Sequence, residues 1–133
     1  MGRSGRTRAA TKGDSRLYAG KASEFLSSTE RAIASREWDA AGLAAIHAGI
    51  SASDAVLAYH GGVRSAGQDH RVAVDLLRET MGAAADEPAK HLKRLIDKKN
   101  LVEYEQRRLT QAEALDLAEH ARRFLKWAKL QLP

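Results

Sequence analysis

Chemistry needs polar side chains held at defined separations, and this sequence offers three such groupings. The first is His47, Ser51 and Asp54, spaced i, i+4 and i+7 in a stretch that is otherwise almost wholly apolar. On a helix those spacings share one face. A carboxylate is costly to bury alone, so Asp54 is expected to meet a cation, a hydrogen-bond donor or water. Two readings stay open: a satisfied polar seam, or one wall of a site between helices. The second grouping is Arg64 and His70, separated by five residues in the glycine-containing run RSAGQDH. An Arg fork can hold a phosphate through two N–H groups, and a His with its ordinary pKa near ~6.5 can move a proton. Together they suit a phosphodiester. In the plainer alternative Asp69 caps the next helix while Arg64 and His70 are solvated. The third grouping is Lys99, Asn100 and Tyr104, which continues the apolar stripe of Leu92, Leu95 and Ile96. Ile96, Asn100 and Tyr104 fall at i, i+4 and i+8, so polar groups are expected to take over an inward face. An ordinary helix end with a snorkelling Lys99 is the alternative.

Several other chemistries lack their residues. There is no glycine-rich phosphate loop and no H-E-x-x-H pair. His47, His60, His70, His91 and His120 form no i, i+4 pair, so no metal site and no cofactor is expected. The absence of cysteine excludes disulfides, thiol catalysis and Cys-ligated zinc. With no secretory leader and no apolar stretch of membrane-spanning length, a cytoplasmic setting without membrane association is expected.

These residues need helices to hold them. Ala, Leu, Arg, Glu and Lys dominate and strand-like alternation is nearly absent, which favours helix throughout. A first helix is expected from about Asp14, with Tyr18, Ala22, Phe25, Leu26, Thr29, Ala32 and Ile33 as its inward stripe. After a turn at 35–37, the Ala-rich stretch from Trp38 to His60 is apolar most of the way round. A helix with so little polar face belongs at the centre, and Gly61-Gly62 ends it. A loop to Gln68 leads to a third helix near Asp69–Met81. A break at Gly82–Asp86 follows, and then a fourth helix from Glu87-Pro88 to about Tyr104. Thr110-Gln111-Ala112-Glu113 has the capping-box form and opens a last helix whose stripe runs from Ala114 to Leu132. The fold expected is all-α: one up-and-down bundle of about five helices.

The net charge of +5 is unevenly spread. Residues 1–16 hold five basic side chains against Asp14, leaving 17 basic and 16 acidic for the rest. Residues 1–14 therefore read as a disordered basic arm and residues 15–133 as the folded body. The arm could touch phosphates or be a solvated tail. Either way the nearly neutral body offers no basic groove on charge alone.

Three stretches, AAGLAAIHAGISASDAVLAYH, RSAGQDHRVAVDLLRE and KNLVEYEQRRLTQAEALDLAEHARRFLKWA, together with the order of helices over residues 18–131, resemble the HEPN family of small helical domains. The resemblance implies a four- to five-helix bundle that dimerises. It also implies an association with RNA, in toxin–antitoxin or defence systems, often beside a nucleotidyltransferase. The family's RNase motif is an Arg, a polar residue, and a His four to six residues beyond the Arg. Here Lys99 stands at the Arg position, Asn100 at the polar one and Tyr104 at the His. Lys lacks the bidentate fork and Tyr is a poor base near neutrality. The resemblance thus implies a non-catalytic or weakly catalytic homodimeric partner of a nucleotidyltransferase or antitoxin, with RNA a possible ligand. It further implies that Asp54 pairs with Lys99. The alternatives are a divergent metal-independent endoribonuclease and an unrelated helical adaptor.

Overall fold

The computed structural model describes residues 7–66 and 70–133. Strand β1 (Thr7–Ala9) leads into α1 (Lys12–Ala34), which turns back into α2 (Trp38–Gly61). Strand β2 (Val63–Ser65) follows, then α3 (Val72–Met81), a 3₁₀ turn at Gly82–Ala85, α4 (Asp86–Asp97), α5 (Lys99–Tyr104) and α6 (Gln111–Leu130). The all-α bundle expected from the sequence is what forms. Four helices of twelve residues or more frame it rather than five. The third of the expected helices has only ten residues, and the fourth is broken at Lys98.

α2 is the centre, as its composition requires. It packs along α1 and α6 and also meets α3, α4 and α5. Ala41, Ala45, Ile46, Ala48, Ala55, Val56 and Leu57 are fully buried. Each large side chain so buried contributes roughly 1.5–3 kcal/mol. Close approach depends on two glycines. A Cβ at Gly42 would run into the Leu109 side chain, and one at Gly49 would come within 2.5 Å of Leu95 Cδ1. One expectation is corrected here. By length and composition α2 is apolar enough to cross a membrane, and 78% of that stretch is buried inside the bundle. A helix surrounded by neighbours needs the same apolarity.

The helix starts follow local chemistry. Thr110 Oγ1 accepts from Glu113 N–H at 3.1 Å, and Thr110 N–H donates to Glu113 Oε1 at 2.9 Å, closing the expected capping box. Thr11 and Asp14 form a second box with the same pair of bonds, so α1 begins at Lys12 and not near Asp14. From Thr7 onward the segment expected as a disordered arm is therefore ordered; its residues 1–6 lie outside those described. β1 pairs antiparallel with β2, with Thr7 opposite Ser65, Arg8 opposite Arg64 and Ala9 opposite Val63. Ala10 N–H extends the ribbon to Gly62 O at 2.9 Å. Gly62, at φ +66°, supplies the left-handed turn that lets the chain leave α2 and enter β2. The expected Asp69 cap also lies outside the described residues.

The break at Lys98 matters most for the candidate site. Lys98 N–H reaches Leu95 O at 3.2 Å, a tightened last turn. α5 then packs Leu101 and Val102 against the core. The stripe of Leu92, Leu95 and Ile96 passes into the shielded Lys99 and Glu103 and not into Asn100 and Tyr104. Ile96 is buried, Asn100 exposed and Tyr104 70% exposed.

Candidate functional site

The structure divides the expected polar seam into two separate groups. Asp54, 8% exposed, accepts from Ser65 N–H at 3.0 Å and from the Ser65 hydroxyl at 3.1 Å. Both bonds reach Oδ1 and tie β2 to the central helix. Burial pushes the Asp54 carboxyl up to about 6, against the lowering effect of the Ser65 bonds and the charges of Arg64 and Lys21. The pairing of Asp54 with Lys99 expected from the family resemblance is not found. Lys99 instead meets Glu103 one turn further along its own helix, while β2 supplies the donors at Asp54.

Lys99 Nζ lies 3.1 Å from Glu103, with both side chains largely shielded from solvent. Burial raises the Glu103 carboxyl, but the Lys99 hydrogen bond and charge outweigh it and hold Glu103 below its ordinary value. The Tyr104 hydroxyl and the His47 charge act in the same direction. His47 projects from α2 with its ring 5.5 Å from Phe25. Three of the sequence candidates (Lys99, Tyr104 and His47) thus gather around Glu103, which the motif analysis did not single out. Its signal was available, since Lys99 and Glu103 stand at i, i+4. Asn100 faces solvent on the same short helix.

Arg64 is half-buried in β2, and its Nη1 donates to the carbonyl of the adjacent Ser65 at 3.1 Å. His70 is half-buried in the turn before α3. The chain between them, 67–69, lies outside the described residues. Ser51 is half-buried on α2, whereas Ser53 is fully buried and its hydroxyl has no hydrogen-bond partner among the described residues.

Sequence spacing missed one contact entirely. His91 of α4 and His120 of α6, 29 residues apart, place their Nδ1 atoms 2.8 Å from each other. One nitrogen must donate and the other accept. Asp116 lies 3.4 Å from His120 Nε2, which favours an Nε2–H tautomer and leaves His120 Nδ1 to accept from His91. Burial first, and the charge of His120 second, hold His91 below the usual imidazole value. No spacing rule links residues on separate helices. Among the described residues, no group of three His, Cys, Asp or Glu side chains is arranged to hold a metal ion.

What the arrangement can do follows from its charges. The Lys99 ammonium already has a carboxylate at hydrogen-bond distance, so an incoming phosphate would compete with the charge of Glu103 for it. No protein-family model matches the chain, and no curated protein matches it.

Proposed function

We propose that the chain acts by binding and not by turnover, as a HEPN-like homodimeric partner in an RNA-associated two-component system. Its counterpart would be a nucleotidyltransferase or antitoxin protein. The observation that carries this reading is the Lys99–Glu103 pair: the cation at the Arg position of the family motif is neutralised by its own helix. Tyr104, at the motif's His position, is largely in solvent, and a phenol is a poor base near neutrality. Light scattering on the purified chain should give twice the 14.5 kDa of one copy. Co-expression with the product of the adjacent gene should yield a stable complex. A monomer that captures no such protein would sink this reading.

One observation favours a second reading, a divergent metal-independent endoribonuclease. His47, which could move a proton, lies near enough to Glu103 for its charge to act on that carboxyl beside Lys99. That reading requires cleavage of RNA in the presence of a chelator and its loss in His47→Ala.

A further inference from the structure

Many cations on α4, α6 and the segment between them are matched: Lys93 to Asp97 at 2.7 Å, Arg94 to Asp116 at 3.1 Å, Arg107 to Glu113 at 2.6 Å, Arg122 to Glu30 at 2.7 Å. At the β1–β2 ribbon they are not. Arg8 and Arg64 lie directly opposite one another in register. Cross-strand partners project from the same face, and like charges so placed are destabilising. Ser65, the next residue, turns to the other face and into Asp54. Lys21 of α1 lies near enough to Asp54 for its charge, like that of Arg64, to lower that carboxyl. That carboxylate is buried and already accepts both Ser65 bonds. Among the described residues, none of Arg8, Arg64 and Lys21 has a carboxylate at ion-pair distance.

We propose that Arg8 and Arg64 form a face that binds the phosphodiester backbone of a nucleic acid. An anion between the two arginines would replace a cross-strand repulsion with charge-assisted hydrogen bonds. A linear polyanion fits better than a small phosphate. Arg8 is exposed and Arg64 half-buried; near solvent a single ion pair gains little, whereas a polymer makes several contacts and releases counterions. In sequence, Arg3 and Arg6 precede this ribbon, and Lys12 opens α1 after it. The inference rests on the RNA-associated part of the reading above, and the Lys99–Glu103 cluster has no role in it.

The test is fluorescence anisotropy with a short labelled single-stranded RNA and the same sequence as DNA, using the full chain over a range of salt. Affinity should fall steeply with salt. Arg8→Ala with Arg64→Ala should weaken low-salt binding by about tenfold or more and reduce the log–log salt slope by about 2. Arg8→Glu, at an exposed strand position whose loss leaves Asp54 and Ser65 intact, should act in the same direction. Lys93→Ala, which removes a matched cation, should leave binding unchanged. An RNA-only or a DNA-only result supports the face and identifies its ligand. No binding of either by wild type, an unchanged slope in the Arg variants, or retention of inorganic phosphate or phosphatidylserine vesicles alone would each overturn it. A protein that stays dimeric and captures its partner while ignoring nucleic acid defeats this face and leaves the partner reading standing.

Discussion

Asp54 holds a charge in the middle of a helix that has almost no polar face, and two hydrogen bonds from Ser65 do not fully offset the burial. Its carboxyl is pushed up to about 6, above the 3.8 of an unburied Asp. Between those values the folded state binds more protons than the unfolded chain, so stability falls as pH rises from about 4 to about 6. Asp54→Asn keeps an acceptor for Ser65 and removes the titration. It should abolish that slope and raise stability at neutral pH by up to about 3 kcal/mol. Urea midpoints at the two ends of the window measure this, and an unaltered slope would count against the account. Ser53 supplies a second residue-level test. Its hydroxyl is buried without a partner, so Ser53→Ala should raise stability by about 1 kcal/mol or more through lost desolvation and better helix propensity. A lower melting temperature in that variant would mean the hydroxyl has a role that these contacts do not show. The need of Asp54 for a partner was legible in the sequence, because a carboxylate on an apolar helix cannot go unsatisfied. Its partner was not. Ser65 lies in a three-residue ribbon, and pairing with residue 7 is a long-range event with no local signature.

At the scale of elements, periodicity carried most of the information. The stripe from Ala114 to Ala128 on α6 and the all-round apolarity of α2 are local patterns, and both are buried as read. The break at Lys98 is different. Beyond it Leu101 and Val102 pack against the core while Asn100 and Tyr104 stay exposed. Lys99 is taken up by Glu103 on its own helix and not by Asp54. The glycines of α2 test the packing directly. Gly42→Ala and Gly49→Ala each gain up to ~1 kcal/mol in helix propensity. They also force a methyl into Leu109 or into Leu95, which is itself fully buried, at a cost of about 1–3 kcal/mol. Both variants should be destabilised or at best neutral. Gly20→Ala on α1, with nothing within 4 Å of the added methyl, should gain the propensity alone. Thermal melts of the three variants check the contrast. Equal effects at all three positions would mean that close approach does not explain the small residues of α2.

For the whole molecule, charge and apolar surface divide the labour. The bundle is held by α2, and matched ion pairs line α4, α6 and the segment between them. Arg8 and Arg64 stand opposite one another in the ribbon that joins the N-terminal segment to the end of α2. The fold and its centre were readable from sequence. The grouping of His47, Lys99 and Tyr104 around Glu103 was not, because it depends on how a short helix is set against a long one. That grouping carries the central claim, that a neutralised cation and an outward tyrosine make this a binding protein. The most direct measurement is cleavage of labelled RNA by the purified chain in the presence of a chelator, with Lys99→Ala and His47→Ala in parallel. The account predicts no cleavage by the wild type and no difference among the three. Cleavage by the wild type that disappears in either variant would contradict it.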